Sequence, residues 1–97
     1  MIKHIVMMRL REGIDHDYHI AELKRQLEEL SAKIDQIIKL EVGINTINSP
    51  RASDLVLSSE FASWEDLNTY RDHPTHQIVV KYVQEIVDEV RVVDYQL

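Results

Sequence analysis

There is no cysteine in this chain. That excludes disulfides, thiolate nucleophiles and zinc–sulfur centres, and it fits a cytoplasmic setting. Glycine and proline number two each, so no flexible linker, low-complexity segment or repeat is present. Basic residues are too few and too scattered to form a stripe, and the formal charge is -6. That argues against nucleic acid or an anionic membrane as a partner. Long apolar runs are missing too. Ile5-Val6-Met7-Met8 and Ile78-Val79-Val80 are far short of a membrane span. The first residues enter a strand pattern with no basic segment ahead of an apolar one, so no signal or transit peptide is expected.

What remains is enough for one domain over residues 1–97, with roughly two thirds of the unfolded surface buried. Residues 2–10 are rich in β-branched and large apolar types and read as a strand. Ile2, His4, Val6, Met8 and Leu10 share one of its faces. Residues 16–34 read as a helix, because Ile20, Leu23, Leu27, Leu30 and Ile34 recur at steps of three and four. Strands follow at 38–47 and 54–61. Gly43, inside the first of these, marks a bulge or a close backbone approach. Ser63-Trp64-Glu65-Asp66 resembles a capping box and opens a short helix to Asp72. A longer helix starts at Pro74 and reaches Asp88 or Glu89, with Val79, Tyr82, Val83 and Ile86 turned inward. Residues 90–95 form a closing strand.

Strand, helix, strand, strand, helix pair, strand is the ferredoxin-like βαββαβ order. It predicts an α+β fold, with a four-stranded antiparallel sheet covered by helices on one face. The opposite face keeps apolar residues on the first and last strands. An uncovered apolar face marks an interaction surface, and twofold homodimers are the commonest assembly. A homodimer through the open sheet face is therefore expected, closing into a dimeric α+β barrel.

The segment Tyr70-Arg71-Asp72-His73-Pro74-Thr75-His76 carries the chemistry. Proline suits the first turn of a helix, since its missing N–H would be an orphan there. With Pro74 at that position, His76 is at N3, where the positive end of the helix dipole keeps an imidazole neutral. His76 and Tyr70 are the candidate catalytic residues. His4, Tyr70 and His76 are the candidate ligand-binding residues, at the mouth of a cavity between sheet and helices. His73 is expected to cap the helix or pin the turn. Asp15-His16-Asp17-Tyr18-His19 has imidazoles three apart, but reads as a helix start with acids on its positive end. No metal and no cofactor is called for. Trp64 is expected to pack over the sheet edge. Glu41 and Glu60 are expected at solvated edge positions.

Taken in order, Lys3-His4-Ile5-Val6, Gly43, Asp54-Leu55-Val56-Leu57, Phe61, Trp64-Glu65-Asp66-Leu67, Tyr70 and His73-Pro74-Thr75-His76 resemble the stress-responsive dimeric A/B barrel (Dabb) family. The resemblance spans the chain. It implies a ferredoxin-like protomer, a dimeric barrel, and a place among proteins associated with stress responses. Some members act as polyketide cyclases through a Tyr and a His matching Tyr70 and His76, with a further His matching His4. The other polar positions of the cyclase pocket are not matched, since Leu55 and Leu27 stand where they would be. The resemblance implies much less about activity; the residues and the fold together lead to the expectation of a domain that binds a small, largely apolar molecule in a pocket between sheet and helices. The alternatives are a cofactor-independent cyclase-like lyase using His76 and Tyr70, or a non-catalytic dimeric module.

Overall fold

The computed structural model describes residues 1–97. Its elements are β1 (Ile2–Leu10), α1 (His16–Lys33), β2 (Lys39–Ile44), β3 (Leu55–Phe61), α2 (Trp64–Asp72), α3 (Pro74–Ile86) and β4 (Val87–Gln96). The four strands form one antiparallel sheet in the order β2-β3-β1-β4. This is the ferredoxin-like βαββαβ arrangement read from the sequence. No helix is long and apolar enough to cross a membrane.

Alternation along the strands decides which residues meet the helices. Ile2, Met8 and Leu10 of β1 are buried, as are Leu55, Leu57 and Phe61 of β3. Leu23, Leu27 and Leu30 of α1, Leu67 and Tyr70 of α2, and Val79 and Ile86 of α3 belong to the same core. Each such leucine contributes roughly 1.5–3 kcal/mol relative to an exposed one. The α1 stripe therefore does more to dock that helix than its helix propensity does.

Local chemistry sets the element ends. Asp15 caps α1 by accepting from the Tyr18 amide at 3.1 Å. Ser63 caps α2 in the same way through Asp66. His73 joins α2 to α3. Its amide donates to the Tyr70 carbonyl at 3.2 Å, and its Nδ1 accepts from the Thr75 amide at 3.1 Å. Pro74 follows as the first helical residue.

The largest shifts from the sequence reading are at the end of β2, the end of α3 and the start of β4. β2 stops at Ile44, where Asn45 turns to bond Asp54. α3 ends at Ile86 and β4 begins at once with Val87, because Val87 is extended and pairs with Leu10. No bulge occurs at Gly43, since the β2–β3 register runs without a break. A Cβ there would come within 3.1 Å of Val56 Cγ1, so close approach is the reason for glycine. The irregularity in the sheet lies between Arg9 and Leu10 instead.

All three helices cover one side of the sheet. On the other side Met7, Val93 and Tyr95 are exposed among ion pairs such as Lys3–Glu60. Glu60 is therefore paired rather than simply solvated, while Glu41 is exposed. Trp64 begins α2 half-exposed.

Candidate functional site

A cavity of about 310 Å³ lies between the sheet and the helix pair. Most of its wall is apolar, from Val6, Leu57, Val79 and Val83 among others. Val90 and Val92 of β4 form its rim. They share the helix-facing side with Asp94, yet they are about half exposed because the helix layer stops short of this edge strand.

The polar end of the cavity is built from His4, Tyr70, Arg71 and His76. His4 comes from β1, where its pairing with Ser59 on one side and Asp94 on the other turns it toward the helices. Tyr70 and Arg71 lie in the last turn of α2, and His76 in the first turn of α3. The corner at His73 folds these two turns against each other. The Tyr70 and His76 ring centroids are 4.3 Å apart, and the Tyr70 and His4 centroids 6.1 Å. The three candidate residues of the sequence reading thus converge on one cavity.

Hydrogen bonding fixes how each group faces the space. His76 Nδ1 lies 3.0 Å from the Arg71 carbonyl, which can only accept, so Nδ1 carries the proton. His4 Nδ1 meets Asp94 Oδ1 in a short contact. Asp94 Oδ2 accepts from Arg71 Nη2 at 2.5 Å. The Tyr70 hydroxyl is buried and has no partner.

Burial pushes the His76 pKa below the ordinary imidazole value, and the charges that His4, Arg71 and His73 can carry act in the same direction. The Arg71 carbonyl acts in the opposite sense but does not prevail. Burial raises the Tyr70 pKa well above the usual phenol value, and Arg71 only partly offsets it. At neutral pH the cavity therefore holds a bare imidazole beside an intact phenol.

Asp94 and Arg71 were not singled out from the sequence. Asp94 did leave a trace, as an acid on the helix-facing side of a strand otherwise filled there by Val90 and Val92. Arg71 left none, since a basic residue in the last turn of a helix is ordinary. His16 and His19 do not join this site. His16 Nε2 bonds the Arg11 carbonyl at 2.7 Å, and His19 Nδ1 bonds the Tyr82 hydroxyl at 2.6 Å.

A model of the stress responsive A/B barrel domain (Dabb) matches residues 2–97. The chain belongs to the Dabb family. A stress-response A/B barrel domain-containing protein of Arabidopsis thaliana is 33% identical over 98 residues, covering 98% of this chain. This chain spans 46% of that relative, less than half its length. Among solved structures, a Bacteroides fragilis protein of unknown function, described as dimeric and ferredoxin-like, superposes with a TM-score of 0.89. It is 33% identical, with 99% of this chain and 95% of that one covered. A hydroxynitrile lyase from Passiflora edulis has the same fold, with a TM-score of 0.85 at 15% identity over 97% of this chain and 90% of that one.

Proposed function

We propose that this Dabb domain binds a small, largely apolar molecule in the cavity between sheet and helices, with His4, Tyr70 and His76 reading its polar end. One observation carries the reading. The Tyr70 hydroxyl is buried without a protein partner, and the Tyr70 side chain lines a mostly apolar cavity. An unsatisfied buried hydroxyl costs free energy, and a ligand oxygen at that place would satisfy it. A thermal-shift screen of small aromatic and polyketide-like compounds tests this on the parent and on His76→Ala. A compound that stabilises the parent alone supports the site. A screen without a hit, with melting unchanged throughout, counts against it and favours a non-catalytic module.

A catalytic version rests on the pairing of a neutral imidazole with a protonated phenol. In it His76 Nε2 removes a proton next to a carbonyl, and the Tyr70 hydroxyl steadies the enolate oxygen that forms. This is a cofactor-independent lyase or cyclase chemistry. The likeness to a hydroxynitrile lyase concerns the fold alone.

Two copies would pack through the open sheet face into a dimeric α+β barrel. The exposed Met7, Val93 and Tyr95 support this, as does the description of the Bacteroides fragilis protein as dimeric. A cytoplasmic location accords with the lack of cysteine.

A further inference from the structure

No side-chain hydrogen bond joins α3 to a strand. Val79, Val80 and Val83 of this helix line the cavity, and so do Val90 and Val92 of β4. The last two are 48% and 49% exposed. Apolar surface left in water favours closing up, because burial of each valine lowers the free energy. A helix free to tilt would settle onto β4, cover both valines and shrink the cavity.

The bonds that oppose this come from the end of β1 and the start of α1. Arg11 lies across the last turn of α3. Its amide donates to the Ile86 carbonyl at 2.8 Å, its Nε to the Glu85 carbonyl at 3.2 Å, and its Nη2 to the Gln84 carbonyl at 3.1 Å. A helix leaves such carbonyls without partners, and α3 has no basic residue of its own in that turn. His16 holds Arg11 in turn, with Nε2 donating to the Arg11 carbonyl at 2.7 Å. Three residues on, and so on the same side of α1, His19 Nδ1 meets the Tyr82 hydroxyl at 2.6 Å. This is the one side-chain hydrogen bond between α1 and α3. The Tyr18 ring steadies His19 edge-on, with centroids 5.0 Å apart.

We infer that Arg11, His16 and His19 are positioning residues: a latch that holds α3 off β4, through its last carbonyls and through Tyr82, and so keeps the cavity open. The other end of α3 is already fixed, since His76 Nδ1 and Gln77 Nε2 both meet the Arg71 carbonyl. With both ends fastened, the middle of the helix decides the width of the chamber. Tyr82 draws that middle toward α1. The helix α1 packs toward β2, and β2 and β4 are opposite edges of the sheet. The pull is therefore away from β4. The histidines of Asp15-His16-Asp17-Tyr18-His19 thus act on the cavity without touching it.

Tyr82→Phe removes one oxygen and keeps the ring. Arg11→Met keeps the stem and loses the two guanidinium bonds, while its amide still reaches Ile86. Exposure of the Val90 and Val92 methyls is read by solvent paramagnetic relaxation in methyl-labelled protein, with no ligand present. In either variant it should fall toward the level of Val79, which is 6% exposed in the parent. Cross-peaks from the Val80 and Val83 methyls to those of Val90 and Val92 should strengthen. Arg11→Lys keeps a donor and should change both readings less than Arg11→Met does. A folded variant whose two valines stay as exposed as in the parent, or become more so, overturns the latch. A lower melting temperature with those valines unchanged does the same, because a bond that only adds stability leaves the helix where it stands. If Arg11→Met does not fold, Tyr82→Phe decides alone. No guest is used, so a failed ligand screen leaves these expectations untouched.

Discussion

The Tyr70 and His76 rings lie 4.3 Å apart, centroid to centroid, tilted by 39° across the α2–α3 corner. One is a phenol that burial keeps protonated, the other an imidazole that burial keeps neutral. The hydroxyl without a partner does not favour the stability of the empty protein, and both protonation states suit a binding site.

Tyr70→Phe separates these two roles. It removes a buried hydroxyl that has no partner and leaves the ring that packs on Phe61 at 5.1 Å. The variant should be more stable than the parent by about 1 kcal/mol, or roughly 4–8 °C in melting temperature. Ligand affinity should fall about tenfold at the same time. Urea unfolding and the thermal-shift assay measure the two effects. A clear loss of stability would show that the hydroxyl is satisfied in the free protein.

His76 should make stability fall as the solution is acidified. Its folded pKa is lowered, by burial first. Below about pH 6.5 the unfolded chain therefore binds a proton that the folded one refuses. Stability from this group is fully present above that pH and declines until the lower folded value is reached. The stability difference between the parent and His76→Gln should shift against the parent between pH 7.5 and pH 5. A difference that stays flat over this range would rule out the lowered pKa.

Val93 is 55% exposed on the open sheet face. An aspartate there adds a charge to a surface that a second copy would dehydrate. Val93→Asp should turn a dimer into a monomer in size-exclusion chromatography with light scattering, with the far-ultraviolet circular dichroism unchanged. A parent that is already monomeric at micromolar concentration would refute the proposed barrel.

Asp54 ties the end of β1 to the start of β3. Its carboxylate accepts from the Leu10 amide at 2.7 Å, and its own amide donates to the Met8 carbonyl at 2.8 Å. Asp54→Ala strands the Leu10 N–H and should lower stability by roughly 1–2 kcal/mol. The denaturant midpoint should drop while its slope stays constant.

Much of the fold was visible in residue spacing. The α1 stripe, the alternation of β1 and the proline at the start of α3 are local signals, and each matches its element. The corner placed Tyr70 and His76 together because a cap and a proline fix where two helices meet. Long-range partners were hidden. Asp94 is 90 positions from His4, and only the β1–β4 register brings them side by side. The sequence left Gly43 open between a bulge and a close approach for a similar reason, because the demand for glycine comes from Val56 on the neighbouring strand. The start of β4 was placed too late because pairing with β1, a non-local effect, pulls Val87 out of the helix.

His73 ends one helix with its amide and begins the next with its ring. Each of these bonds holds its own helix end, and the His76 ring on the Arg71 carbonyl ties the two helices across the corner. The valines along the cavity make no such bonds. Swapping them would resize the chamber for other guests while the polar tip stayed in place, which makes this domain a sturdy starting frame for engineered receptors.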